Sequence, residues 1–377
     1  MTAARPVVPD LGSLTPMDVA GRLGRLRGTF DTIGVDALLC TNLTNIRYLT
    51  GFTGSAALLL VTPDDAWFVT DGRYTIQAGA ELGAAGVRAT IEVPATAAAQ
   101  RDVLAAAGAA LGTVGLEGDH VTWNQQRRFA SEWFGSAEVI PTAGVVERLR
   151  LVKDAGEIDR LAAAASIADL AFSRLRNRLA DRPTEAEFAL ELDTEMRRLG
   201  ASDVSFETIV ASGPNGARPH HRPGRRNVTD GDLVVCDFGA LVEGYHSDMT
   251  RTVWVGEPSD TQARMWEVVA EAQQAGVDAV AAGVPVAAVD AACRAIIDEA
   301  GWGDAFIHST GHGVGLDIHE NPRLASVSDE VLEAGWVVTV EPGVYLEDHG
   351  GVRIEDMVLV GAGGCTPFTK TPKDPAV

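Results

Sequence analysis

A chain of 377 residues with 46% hydrophobic content can bury a large core and is long enough for two domains. Its 31 basic residues face 52 acidic ones, a formal net charge of −21, which repels phosphate backbones and argues against a nucleic-acid partner. The four cysteines, Cys40, Cys236, Cys293 and Cys365, are scattered without a C-x-x-C pair, a usage that fits a reducing cytoplasm.

In chain order, the opening MTAARPVVPDLGSLTP lacks the basic patch and apolar block of a secretory signal. From Met17 to Ile140, DALLC, AALLLVT, AWFVT and TVGLEG predict strands, while MDVAGRLGRLRGTF, GRYTIQAGAEL and TAAAQRDVLAAAGAAL predict helices. That alternation is the pattern of an α/β domain. The run Val103–Leu116 is too short to span a bilayer and predicts a buried helix leading into a strand. A soluble, cytoplasmic protein with no membrane partner is expected.

At Leu149–Ala155 the charged LRLVKDA opens a long helical pattern, EIDRLAAAASIADLAFSRLRNRLA, whose apolar residues recur at three- and four-residue intervals. The boundary between domains 1–150 and 151–377 is placed there. A second helix opens at Pro183-Thr184, where Thr184 and Glu187 have the spacing of a capping box. FETIVAS, DLVVCDFGALV and TRTVWV then predict strands, Thr261–Ala281 and Ala287–Ala300 predict helices, and strands return. Helices set apart from a largely antiparallel sheet make an α+β catalytic domain. Its halves, Ala155–Val255 and Thr261–Val360, hint at a duplication.

The chemistry concentrates in this second domain. Asp237 ends an apolar strand and Asp248 begins the next, which suits two strands of one hairpin carrying both carboxylates to a common face. A carboxylate directly after four apolar residues is costly unless paired or metal-bound, whereas Asp248 alone could be a surface charge. Glu341 closes WVVTV, and Pro342-Gly343 fixes a turn that aims it. In GGVRIEDMVLV, strand alternation puts Arg353 and Glu355 on one face, as an ion pair or as an Arg orienting a ligand. His308, His312 and His319 fall within twelve residues, out of eight histidines in the chain. The glycines of HSTGHGVG let the backbone approach a ligand closely, and with no helix following, a phosphate cradle is not expected. Pro219-His220-His221 adds a histidine pair suited to proton delivery. Arg222, Arg225 and Arg226 read as a solvated loop, with a clamp for a substrate carboxylate as the sharper alternative. Together, Asp237, Asp248, His312, Glu341 and Glu355 make an oxygen-rich donor set with too much charge for one divalent ion and about enough for two, which points to a dinuclear hydrolase.

These segments (SFETIVASGPN, ARPHHRP, VVCDFGALVEGYHSDMTRT, HSTGHGVGLDIHE, VVTVEPGVY and GGVRIED) resemble the metallopeptidase family of aminopeptidase P, prolidase and creatinase, with the pita-bread fold. NIRYLTGFTGSAALLLV and VTDGRY are similar to the creatinase-type N-terminal domain of that family. The resemblance implies a two-domain protein with a dinuclear site, commonly manganese, with cobalt or zinc as alternatives. Asp237, Asp248, His312, Glu341 and Glu355 would be ligands, and Asp248 and Glu355 would bridge ions about 3.5–4 Å apart. It also implies that His220, His308 and His319 line a small-peptide pocket and that Arg353 supports the site. His220 is matched because it follows Pro219, and the tandem leaves His221 open. The implied reaction is hydrolysis of an Xaa-Pro bond by a metal-bridging hydroxide, in a dipeptide or at a peptide N-terminus, with Glu341 taking the water's proton. A homodimer is implied as well. The alternatives are a creatinase-like C–N hydrolase and an inactive peptide-binding module.

Overall fold

The structure, a computed structural model, describes residues 8–377. Residues 1–7, where part of the stretch read against a secretory signal and the start of the expected first domain fall, lie outside the described residues. The chain divides into two compact units, Met17–Arg150 and the remainder. Residues 8–16 therefore belong with the second unit, not with the expected domain 1–150. Long-range bonds explain this: the Thr15 N–H reaches Asp159 at 3.1 Å and Arg160 reaches the Thr15 carbonyl at 2.9 Å.

In the Met17–Arg150 unit, β1 (Ala37–Cys40), β2 (Ala57–Val61), β3 (Ala66–Thr70), β4 (Thr90–Glu92), β5 (Thr113–Glu117) and β6 (Glu138–Thr142) form one sheet in the order β4-β3-β2-β1-β5-β6. The β1–β2 and β2–β3 pairs are antiparallel; the β1–β5, β5–β6 and β3–β4 pairs are parallel. The mixed sheet with connecting helices is the expected α/β unit, although β4 and β6 were not predicted. MDVAGRLGRLRGTF forms only the short helix Arg22–Arg27, and a second, Phe30–Ile33, begins at its last residue. The break falls at Gly28-Thr29, where the Thr29 hydroxyl bonds back to the Leu26 carbonyl and competes with the helix.

The second unit repeats one plan. Helices Ala155–Leu175 and Glu185–Arg198, each opened by a capping box (Asp154 with Glu157, Thr184 with Glu187), precede the antiparallel strands Ile209–Ser212, Asp232–Phe238 and Met249–Val255. Helices Asp260–Ala279 and Val286–Glu299 precede the strands Gly311–Gly313, Glu320–Leu324, Val337–Val340, Asp356–Gly361 and Gly364–Pro367. A hairpin, Gly343–Leu346 with Gly350–Arg353, lies between the third and fourth of these in sequence.

Strand alternation then decides which way the carboxylates face. Val234, Cys236 and Phe238 enter the core with Phe172, Phe188 and Met196 of the first helix pair. Val235 packs apart from them, with Ile209 and Ala211, so Asp237 shares its face and points away from the helices. Among the described residues no helix is long and apolar enough to cross a membrane.

Candidate metal centre

Asp237 pairs with Thr250 across the antiparallel register, so Asp248, two residues before Thr250, lies on the same face. The common face is as expected, but the link is not a tight hairpin. Ala240–Val242 and Tyr245–His246, which link the strands Asp232–Phe238 and Met249–Val255, form their own small sheet with Asp203–Val204. Gly239 is needed at the departure, since a Cβ there would lie 1.8 Å from the Ser247 carbonyl oxygen.

His312 occupies the centre of the strand Gly311–Gly313. Its flanking glycines serve the sheet and not a ligand: a Cβ on Gly311 would sit 2.0 Å from the Thr339 oxygen, and one on Gly313 2.0 Å from the Asn321 oxygen. His312 Nδ1 lies 3.0 Å from its neighbour's carbonyl at Gly313. A carbonyl only accepts, so the proton sits on Nδ1 and the Nε2 lone pair is presented to the acids. Nε2 is 3.4 Å from Asp248 Oδ2 and 3.5 Å from Glu341 Oε1. Glu341 follows the strand Val337–Val340, and its N–H donates to the Thr310 carbonyl at 2.7 Å. Glu355 accepts the Thr250 hydroxyl on Oε2 at 2.7 Å.

The donor atoms of Asp248, His312 and Glu355 all lie within 4.8 Å of one another. Two neighbouring buried oxygens, Asp237 Oδ1 and Glu355 Oε1, have no hydrogen-bond partner. Burial, and then the charges of Asp237 and Glu341, push the Asp248 carboxyl well above the usual range. Burial and Asp248 do the same to Glu355, and burial raises Glu341. The cluster is thus an arrangement of mutually repelling acids, two with orphaned oxygens, around a correctly presented imidazole. It fits divalent cations.

Arg353 is the buried cation beside these acids. Its Nη2 lies 2.6 Å from Asp237 Oδ2, so its ion pair goes to Asp237 and not to Glu355, which the strand alternation had put on its face; the strand ends at Arg353 and the next begins at Asp356. Nε donates to Thr250 Oγ1 at 3.1 Å and Nη1 to Tyr345 Oη at 2.7 Å. Tyr345 Oη is in turn 2.9 Å from His308 Nε2, while His308 Nδ1 is 2.8 Å from the Ser309 carbonyl. Burial, with Arg353 nearby, lowers His308 to about 4, and burial raises Tyr345 to about 12. The imidazole is therefore neutral, with Nδ1–H donated to Ser309 and Nε2 accepting from Tyr345. His319 packs edge-on against His312 at 4.4 Å, and burial, with His312 and His220, lowers its pKa.

The histidine tandem separates. His221 Nε2 lies 2.9 Å from Glu185, whereas His220 is exposed and its charge weakens protonation of His308 and His319. Arg226 is consumed by Asp232 (2.5 and 2.8 Å), which removes it from any substrate clamp; Arg222 and Arg225 are exposed. Thr250, Tyr345 and Glu185 were not anticipated. Thr250 could have been found, because it lies two residues after Asp248 on the same strand face.

Two family models account for nearly the whole chain: "Metallopeptidase family M24" over residues 159–362 and "Creatinase/Prolidase N-terminal domain" over residues 22–152. An uncharacterized peptidase of Bacillus subtilis (strain 168) is 40% identical over 361 residues, covering 94% of this chain and 99% of that one. A solved Xaa-Pro dipeptidase from Bacillus anthracis is similar with a TM-score of 0.90 and 42% identity, over 95% of this chain and 100% of that one. An X-Pro aminopeptidase from Thermotoga maritima is similar with a TM-score of 0.84 and 36% identity, over 93% and 100%. With its carboxylate and imidazole donors converged on one face of the second unit, this chain belongs to metallopeptidase family M24 and carries the creatinase/prolidase N-terminal domain.

Proposed function

We propose that the protein hydrolyses the bond between a residue and a following proline, in a dipeptide or at a peptide N-terminus, with two divalent ions, manganese first among them. The observation that carries this is the convergence of buried acids with orphaned oxygens on Asp237 and Glu355. The relatives' activities supply the substrate class. Asp237, Asp248, His312, Glu341 and Glu355 would hold the ions. Bound there, the ions supply Lewis acidity and compensate the acids' charge.

The chain's own groups do the rest. Glu341 is the least buried of the acids (16% side-chain exposure) and has a raised proton affinity, which suits it to take the proton of the attacking water. Arg353 holds Asp237 as an oriented anion. His308 is engaged at both nitrogens and holds Tyr345 in place, so His220 and His319 are the imidazoles available to meet the developing oxyanion. An Xaa-Pro bond has no N–H to recognise, so the pocket must read the ring and the flanking groups. Against a creatinase-like reaction or an inactive binding module stands the grouping of Asp248, His312 and Glu355, whose donor atoms could hold a metal ion.

The test is cleavage of Ala-Pro and Ala-Pro-Ala by manganese-loaded protein, with a chelated control. Cleavage of the dipeptide alone defines a dipeptidase, and metal-dependent cleavage of the tripeptide an aminopeptidase. If neither is cut, the substrate class is wrong.

A further inference from the structure

Glu185, the first residue of the helix Glu185–Arg198, is fully buried and is not among the proposed ligands. Its carboxylate nevertheless receives five donors. Oε1 accepts from Ser212 N–H (2.8 Å), Ser212 Oγ (2.7 Å) and Asn215 Nδ2 (3.0 Å). Oε2 accepts from His221 Nε2 (2.9 Å) and Gly224 N–H (3.1 Å). An ionised carboxylate only accepts, so His221 carries its proton on Nε2. Every donor lies in the loop 212–224, which also carries His220. A buried carboxylate is tolerable only when its hydrogen bonds are complete, so this loop conformation and the burial of Glu185 require each other.

The loop's other side is closed as well. A Cβ on Gly350 would lie 2.6 Å from the Gly213 oxygen, and one on Gly351 2.0 Å from the Gly216 oxygen. Arg353 Nη1 reaches the Pro219 carbonyl at 3.3 Å, immediately before His220. The second half of the unit solves the same problem in the same way. Asp290, fully buried on the helix Val286–Glu299, accepts Thr310 N–H (3.2 Å) and Thr310 Oγ1 (2.7 Å). Its other oxygen holds Arg294 at 2.7 Å, and Arg294 donates to the His308 carbonyl at 2.5 Å. In each half, then, a buried carboxylate on the second helix fixes the backbone beside a site histidine.

We propose that Glu185, acting through His221, is the positioning residue for His220: it clamps the loop so that His221 is held back and His220 projects toward the site. This rests on the reading of His220 as a pocket residue given above. The bonds to Ser212, Asn215 and Gly224 set the path of the loop, and the bond to His221 sets which of two adjacent imidazoles is free. Asp290 is not part of the proposal.

The test combines a double-mutant cycle with hydrogen exchange on the full-length, manganese-loaded protein. His221→Leu removes the donor, and His221→Phe removes it with a bulkier ring in case the first variant does not fold. His221→Gln keeps an N–H for Glu185. Loss of a charge-assisted hydrogen bond at this clamp should lower kcat/KM on Ala-Pro by about 10- to 100-fold. His221→Gln should recover most of that loss, metal content should be unchanged, and exchange should accelerate within residues 212–224. In a His220→Ala background, His221→Leu should cost less than about twofold more, because its effect runs through the missing side chain. A merely structural role would give the same loss in both backgrounds, and that result overturns the proposal. Unchanged exchange over 212–224 overturns it too. If the loaded native protein cuts no Xaa-Pro peptide, the proposed function fails, and the exchange measurement still decides whether the clamp exists.

Discussion

Replacing Asp248 by Asn should raise the stability of the metal-free protein while abolishing the stabilisation that metal brings. The donor atoms of Asp248 and Glu355 lie within 4.8 Å of each other. Two full charges at that separation repel by about 3 kcal/mol at an effective dielectric of about 20. Burial, with Asp237 and Glu341, holds the Asp248 carboxyl above its ordinary value, so the folded chain binds protons that the unfolded chain releases. The sign follows. Stability of the metal-free protein is fullest below the unfolded carboxylate value, about 3.9, and declines as pH rises through the higher folded value. Asp248→Asn removes one titrating acid and relieves Glu355, so its decline is shallower and the two proteins converge toward pH 4. About 3 kcal/mol is the ceiling, because partial protonation of the native cluster already relieves some repulsion. For a unit of this size that ceiling corresponds to a rise in Tm of about 6–12 °C at pH 8. Calorimetry of chelated and manganese-loaded samples from pH 4 to 8 measures both arms. If metal-free Asp248→Asn melts no higher than the native protein at pH 8, the repulsion argument is wrong. If it gains as much from manganese as the native protein does, Asp248 does not hold the metal.

Arg353→Met should behave oppositely in the metal-free protein. It strips the buried cation from Asp237, 2.6 Å away, and should lower stability by about 3–5 kcal/mol, read from urea midpoints; an unchanged midpoint contradicts the pairing. Thr250→Val takes a donor from Glu355 and an acceptor from Arg353, so a loss of about 1–3 kcal/mol is expected, with weaker metal retention on dialysis. Retention equal to that of the native protein would show that Thr250 does not orient Glu355. Tyr345→Phe breaks the path from Arg353 to His308 and should lower kcat/KM by about 10- to 100-fold with full metal content by atomic absorption. Loss of metal in parallel with activity would instead make Tyr345 part of the metal centre's support.

What was legible in the sequence is what physics constrains locally. An acid that closes an apolar strand, as Asp237 and Glu341 do, has few tolerable explanations, and the two-residue period of a strand fixes its face without knowledge of the rest of the fold. The capping box at Thr184 marks a helix start through bonds spanning three residues. Partnership across the fold was not legible. The glycines around His312 announced a close approach, but only the strands bearing Thr339 and Asn321 show what is approached. Strand alternation put Arg353 and Glu355 on one face, yet the strand Gly350–Arg353 ends at the arginine, the next begins at Asp356, and Asp237, 116 residues away, takes the guanidinium. Glu185 reads as an ordinary acid in the first turn of a helix, two residues from the Glu187 that completes the capping box. Its distinguishing property is a set of donors 27 to 39 residues downstream, in a loop without periodicity. His220 and His221 mark the limit of local reading: identical, adjacent, and given different surroundings by that distant carboxylate. Residue type and spacing can therefore nominate a histidine pair for chemistry, but the choice between its members belongs to whichever long-range acceptor captures one of them.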